Sequence, residues 1–292
     1  METRPFGKTG ERFSILSFGA QRIVEAHGCS EAEALRMLNH ALDHGIRYFD
    51  TAWVYSEGQS EERVGKVARH RRSEMWIATK VRARTAEAAV AQLEESLKRL
   101  QTDHVDEWRM HNIATMDELE TILAPGGAVE AAVRARAQGK IRYISMSGHR
   151  NPRVQVEALR RFPFDSMLVA LSALDHFMMS YAEEFLPAAL QQGIAVIGMK
   201  VMALGRLAPF YDRALRYSLG LPVSTTIVGM ESMEQLEKNL AVAERFTPLT
   251  DEEKLALFKD IVHLTTPEVM RWKTQDYFNP VAWEQRSPRA GG

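Results

Sequence analysis

GIRYFDTAWVYSEGQSEERVG, residues Gly45–Gly65, holds one complete period of the pattern that decides the fold. Tyr48–Ala52 is a short apolar run with the aromatic content of a buried strand. A loop carrying Gly58 follows, and a helix is expected from about Ser60 to Arg69. A strand, a short loop and a helix in that order make one unit of a parallel sheet.

Working outward, the same unit recurs. Arg4 to Phe13, with Gly7 and Gly10, reads as a hairpin, and Ile15–Ala20 as the first buried strand. Ser30 and Glu33 form a capping box, Leu35, Leu38 and Leu42 follow at helical spacing, and Gly45 is the stop. Met75–Lys80 is the third strand, and Val90, Leu93, Leu97 and Leu100 are expected on one helix face. Further strands are expected at Val105–Asn112, Ile141–Ser147, Met167–Ser172, Ala195–Lys200 and Thr225–Val228. The helices between them include one broken at Pro125-Gly126-Gly127, then ones from about Pro152, from about Glu183, around Arg213–Leu219 and from Ser232. Near-continuous apolar strands imply a parallel sheet buried on both faces. Eight units predict an α/β fold, a closed (β/α)8 TIM barrel. We expect a single domain over 1–292, with a core of about 14–243 and a C-terminal extension of about 244–292. That extension holds one helix, opened by the Thr250 and Glu253 capping box, and a tail with Trp272, Tyr277, Phe278 and Trp283. The tail aromatics either cover the active site or pack on the outside of the barrel.

Bulk properties exclude several classes. The 292 residues are 45% hydrophobic, enough for a large core, and 37 basic against 38 acidic residues leave no excess that points to nucleic acid. One cysteine, Cys29, supports neither a disulfide framework nor a cysteine-rich metal site, and fits a reducing cytoplasm. There is no apolar N-terminal core of a signal peptide and no apolar run of spanning length, so no membrane role is expected. Nothing indicates an oligomer or rules one out.

In such a barrel the chemistry sits at the carboxyl ends of the strands. Those ends supply Asp50, with Tyr55 in the loop after it, Lys80, His111, and Ser147-Gly148-His149. A tyrosine ionises near pH 10, too high for an efficient acid at neutrality. A lysine ammonium beside it stabilises the phenolate, and a carboxylate behind the lysine keeps that charge in place. A histidine can donate to a carbonyl oxygen, so the group combines a proton donor with an oxyanion site. Taken singly, Asp50 could cap a turn and His111 could be a core histidine.

The stretch Gly45–Gly65 resembles the aldo-keto reductase signature, an Asp-Thr-Ala followed by a Tyr and later by Gly-x-Ser-Glu. The spacing of five residues from Asp50 to Tyr55, 25 to Lys80 and 31 to His111 is similar to that family's tetrad. Lys140–His149, Gly193–Leu207 and Ser224–Leu240 extend the resemblance to most of the chain, about Phe6 to Leu240. The resemblance implies an NAD(P)-dependent oxidoreductase acting on an aldehyde, ketone or sugar carbonyl. Tyr55 would be general acid in reduction and base in oxidation, tuned by Lys80 and Asp50. His111 would orient the carbonyl, and Trp53 would line the substrate pocket; Trp53 and Trp108 would give it an apolar or sugar-stacking wall. The cofactor would lie against Gly19, Ala20, Asp50, Ser147, Gly148, Leu168 and Met199. Its pyrophosphate and adenosine end would meet Lys200, Arg206, Gly229, Glu231, Ser232, Gln235 and Asn239.

The chain departs from the family at four of these positions. Gly148 stands where many members have Asn, Leu168 where many have Gln, Met199 where many stack a Tyr, and Lys200 where many have Ser. The flavour is that of a microbial branch, some members of which carry iron–sulfur centres that Cys29 alone cannot support. The family favours NADP, yet from Gly229 to Gln235 there is no basic residue, and none appears until Lys238. Glu231 and Glu234 would repel a 2′-phosphate, whereas an acidic side chain can bind ribose hydroxyls. The Ser232 and Gln235 pair also reads as a helix cap. His149 and His176 read as structural or pocket-lining. The alternatives are a cofactor-binding regulatory subunit and, with no ligand cluster to support it and no metal expected, a metal hydrolase.

Overall fold

The computed structural model describes residues 1–274, so Tyr277, Phe278 and Trp283 lie outside the described residues. A hairpin of β1 (Thr3–Pro5) and β2 (Arg12–Ser14) comes first. Eight parallel strands follow: β3 (Leu16–Gly19), β4 (Tyr48–Asp50), β5 (Trp76–Val81), β6 (Val105–Met110), β7 (Ile141–Gly148), β8 (Ser166–Ala170), β9 (Ala195–Met199) and β10 (Thr225–Gly229). β10 pairs with β3, from Thr226 opposite Leu16 to Gly229 opposite Gly19, and this closes the barrel. Every residue of β5 and β6 is buried, because one face packs on helices and the other fills the lumen.

The helices are α1 (Glu31–Asp43), α2 (Gln59–Arg71), α3 (Ala86–Leu100), α4 (Met116–Leu123), α5 (Ala128–Ala137), α6 (Pro152–Arg161), α7 (Tyr181–Glu184), α8 (Leu186–Gln192), α9 (Tyr211–Leu219), α10 (Met233–Glu244) and α11 (Asp251–Ile261). The break expected at Pro125-Gly126-Gly127 separates α4 from α5. The helix expected from about Glu183 is two helices, because Pro187 has no N–H to donate and opens a new helix at α8. Val90 leaves the expected stripe and is exposed; Ala86, Ala89, Leu93 and Leu97 define the buried face of α3 with Leu100. Several strands are a residue or two shorter than expected, so His111 and Ser172 lie just past strand ends.

Of the three capping boxes expected, only Thr250 with Glu253 is reciprocal; Ser172 with Asp175, not expected, is a second reciprocal one. Ser30 and Ser232 each accept from the backbone N–H three residues on. Their partners turn elsewhere: Glu33 Oε1 accepts from the N–H of Met233 at 2.9 Å, and Gln235 Oε1 from that of Glu231 at 3.0 Å. Glu33 thus ties α1 to the start of α10.

The hairpin closes the amino end of the lumen. Phe6 and Phe13 pack edge-on against each other and against Trp76, the first residue of β5, and Phe13 also packs edge-on against Tyr48, the first residue of β4. The opposite end, where the strands finish, is left for the site. There, Trp272 is fully buried among Leu174, Leu207, Leu257 and Met270, against the loops that follow β8 and β9. Its indole N–H donates to Asp175 Oδ1 at 2.9 Å, and Lys273 pairs with the same carboxylate at 2.8 Å.

Candidate active site

Asp50 ends β4, and Tyr55 opens a tight turn in which Ser56, Glu57 and Gly58 all have positive φ (48°, 55° and 98°). The turn is held from outside the barrel. The Arg99 side chain lies on Gly58 where a Cβ would stand, and its Nη1 donates to the Trp53 carbonyl at 3.1 Å. Arg99 also pairs with Glu61, a fully buried carboxylate of α2 that accepts from Thr79 Oγ1 at 2.6 Å.

Lys80, on β5, is buried to 1% exposure and has three hydrogens to give. They go to Asp50 Oδ2 at 2.5 Å, the Thr51 carbonyl at 2.7 Å and Tyr55 Oη at 3.1 Å. The phenol oxygen is therefore an acceptor toward Lys80, and its own proton is directed elsewhere. Burial, helped by Arg109 and Lys200 and opposed by Asp50, brings Lys80 down to about 8. His111 sits one residue beyond β6, its ring edge-on to Tyr55 with centroids 5.9 Å apart. Burial, with Lys80, Arg84, Arg82 and Arg109 around it, holds His111 well below the ordinary histidine range. It is a neutral imidazole at pH 7, with one N–H to donate. The four residues read from the sequence are thus brought together.

Two residues that sequence reasoning did not single out complete the group. Arg109 Nη1 donates to Asp50 Oδ1 at 2.5 Å, and Glu107 pairs with Arg109 at 3.1 Å. Strand alternation puts Glu107, Arg109 and His111 on one face, and two opposite charges at inward positions of a fully buried strand were the readable signal. The same alternation sends Trp108 the other way. It is fully buried in the core between the sheet and the helices, so it does not wall the pocket. Trp53 remains half-buried beside the Tyr55 turn, its indole N–H donating to Glu95 at 2.6 Å.

The other expected residues spread around the same rim. Gly19 lies between Asp50 and Gly229 in register, and a Cβ there would come within 2.8 Å of Ile227. The Ala20 carbonyl accepts from Ser60. Ser147 Oγ accepts from the Asn112 N–H at 2.9 Å. At Gly148 the space that an asparagine side chain would enter is filled by Gln155, which bonds the Ile113 carbonyl and the Tyr181 hydroxyl. Leu168 and Met199 belong to the apolar lining of the lumen. His149 Nδ1–H donates to Asn112 Oδ1, 2.8 Å away. Lys200, Ala203, Leu204 and Gly205 share positive φ in the loop after β9, and Arg206 is exposed just beyond them. Asn239, on α10, is buried and accepts from the Tyr211 hydroxyl at 2.6 Å.

Glu231 is not a bare carboxylate. Arg22, from the loop after β3, forms an ion pair with it across 209 positions of sequence. A pyrophosphate suits what this side of the rim offers. Two cations, Lys200 and Arg206, stand on one loop, two glycines end adjacent strands, and the amino end of α10 lies beyond. Among the described residues no three His, Cys, Asp or Glu side chains gather as a metal would need, and no helix is long and apolar enough to cross a membrane.

A phenol, an ammonium and an imidazole at the carboxyl ends of a parallel barrel form a site that can hold a carbonyl oxygen and pass it a proton, the chemistry of a carbonyl oxidoreductase. Residues 16–218 match the model of the Aldo/keto reductase family, and the chain belongs to that family. It is similar to L-galactose dehydrogenase of Arabidopsis thaliana (27% identical, 91% of this chain and 97% of that protein). It is also similar to the oxidoreductase YrpG of Bacillus subtilis (30%, 86% of this chain and 79% of that protein). Among solved structures, the holo form of aldo-keto reductase AKR11C1 from Bacillus halodurans superposes with a TM-score of 0.74 at 28% identity, over 89% of this chain and 96% of that one.

Proposed function

We propose that the protein reduces an aldehyde, ketone or sugar carbonyl, or runs the reverse alcohol oxidation, with Tyr55 as general acid and base, acting in the cytoplasm. The observation that carries this reading is the disposition of the three Lys80 hydrogens, one of them on Tyr55 Oη. An ammonium on the phenol oxygen stabilises the phenolate and leaves the phenol proton to the substrate side. The reduced nicotinamide, when bound, supplies the hydride. His111, neutral, donates a hydrogen bond to the substrate oxygen, and Tyr55 hands that oxygen its proton. Trp53 borders the substrate side.

For the cofactor we propose weak discrimination between NADPH and NADH. The first turn of α10 carries no cation, and Arg22 is already paired with Glu231, so a 2′-phosphate meets the carboxylate together with the cation.

The test follows nicotinamide absorbance with NADPH and NADH against small aldehydes, ketones and sugars, beside Tyr55→Phe. We expect turnover to fall by roughly 10²–10⁴-fold in the variant while cofactor binding, read by fluorescence titration, survives. Undiminished turnover in the variant overturns Tyr55 as the acid, and a hundredfold tighter binding of NADPH overturns weak discrimination.

A further inference from the structure

Four charged side chains run through the lumen in alternating sign: Lys80, Asp50, Arg109 and Glu107. All are at most 7% exposed, on three adjacent strands. Lys80, Asp50 and Tyr55 account for the proton donor; Arg109 and Glu107 have no part in it so far.

The guanidinium is fixed on every side. Its Nε donates to Ser145 Oγ at 2.9 Å, its Nη1 to Asp50 Oδ1 at 2.5 Å, and its Nη2 to the Tyr48 hydroxyl at 2.7 Å and to Glu107 Oε1 at 3.1 Å. Glu107 in turn accepts from Ser166, from the Tyr48 hydroxyl at 2.5 Å and from the Trp76 indole at 3.0 Å. The carboxylate of Asp50 is thereby divided, one oxygen to Lys80 and the other to Arg109. Its plane cannot turn without breaking one of two buried charged bonds, and that plane sets where the ammonium aims its remaining hydrogen. Arg109 also stands between Glu107 and Asp50, so at the Lys80 end of the chain its positive charge outweighs the more distant Glu107.

We propose that Arg109 is a positioning residue of this site: it fixes the Asp50 carboxylate and supplies a second lumen cation that makes Tyr55 a stronger acid. The inference rests on the reading of Tyr55 as the acid. The direction agrees with Lys80, which Arg109 and Lys200 help to lower and Asp50 helps to raise. The other groups around this end of the lumen are His111 and His149 past β6 and β7, Arg82 and Arg84 past β5 and Lys200 past β9, with the Tyr48 hydroxyl behind Arg109 toward the amino end. Both histidines lie well below the ordinary histidine range, so neither changes charge at alkaline pH; Lys80, at about 8, does, and the alkaline midpoint read at Tyr55 belongs to the Lys80–Tyr55 pair.

The test reads Tyr55 directly. Phenolate absorbance is titrated in the wild type and in Tyr55→Phe, and the difference gives the Tyr55 midpoint. The same difference is taken on a Glu107→Gln/Arg109→Gln background, which removes both charges without stranding either. Thermal melting and NADPH binding confirm the fold. The midpoint is expected to rise by about one pH unit in the double variant and to stay close to wild type in Arg109→Lys, which keeps the charge. Glu107→Gln alone, which leaves Arg109 with Asp50 as its one carboxylate partner, is expected to lower it, and this arm holds if the double variant does not fold. A merely structural arginine would alter melting and leave the midpoint in place, and an unmoved midpoint in a folded variant overturns the proposal. Turnover of Tyr55→Phe equal to wild type would instead overturn the reading of Tyr55 as the acid, and this inference with it.

Discussion

Lys80 is an ammonium buried from bulk solvent, and its three hydrogen bonds only partly replace that solvation. Its folded value of about 8 lies below the ordinary 10.5. Between those values the unfolded chain holds the proton and the folded one releases it, so stability rises with pH across that window, and below about pH 8 the charge costs the fold stability. Function and stability therefore pull apart at this residue. Lys80→Met is expected to lose turnover by about a hundredfold or more, since Tyr55 loses its cation. It is not expected to melt below wild type at pH 7, because Asp50 keeps Arg109 as a partner. Calorimetry at pH 7 and pH 9 checks this: the variant's advantage should shrink at pH 9, and a clear loss of stability at pH 7 would refute it. Lys80 was legible from sequence because a strand end and a spacing suffice to place it. The pairing of Arg109 with Asp50 and of Arg22 with Glu231 was not, because the partners are 59 and 209 positions apart and only the folded sheet brings them together.

At the scale of elements, period and punctuation placed all eight strands and most helices, and failed where side-chain shape decides. Ser30 and Glu33 had the spacing of a capping box, yet Glu33 found a better use on the N–H of Met233, a contact that no local pattern encodes. Val90 fitted the helical period, but the buried face of α3, which packs on α2 and α5, runs through Ala86, Ala89, Leu93, Leu97 and Leu100, and the valine faces out. The turn after β4 shows the same division. Its glycine could be read from the sequence; the support beneath it, Arg99 held by Glu61 and Glu95, could not. Gly58 has φ of 98°, where an alanine is strained, and a Cβ would push the Arg99 guanidinium away. Gly58→Ala is thus expected to cost about 1–3 kcal/mol in denaturant unfolding. It should also lower kcat more than it raises KM, because the turn that carries Tyr55 moves relative to Lys80. A variant with lowered stability and unchanged kcat would show that the turn does not aim Tyr55.

For the whole molecule, the C-terminal segment is as much a part of the strand-end face as the loops are. The residues after α11 read as an aromatic tail with two possible destinations. Trp272 goes to the interior beside Asp175, whose place in a capping box with Ser172 says nothing of this partner. Asp175 does three things at once. Its carboxylate caps the turn after β8 through Ser172, accepts the Trp272 indole and neutralises Lys273, whose ammonium also bonds the Met179 carbonyl. Asp175 and Lys273 are each only 1–2% exposed at the side chain. Breaking such a pair from one side leaves a bare charge in the interior, whereas removing both charges removes the desolvation penalty as well. Asp175→Asn is therefore expected to destabilise the protein by about 3–5 kcal/mol, and Asp175→Asn with Lys273→Met to recover most of that loss. Denaturant unfolding of wild type, the two single variants and the double variant gives the coupling. Additive losses would mean that Lys273 is anchored by Met179 and the Tyr181 ring rather than by the carboxylate. Strong coupling would mean that one buried ion pair ties the C-terminal segment to the loop that follows β8, three strands around the barrel from the Lys80 strand.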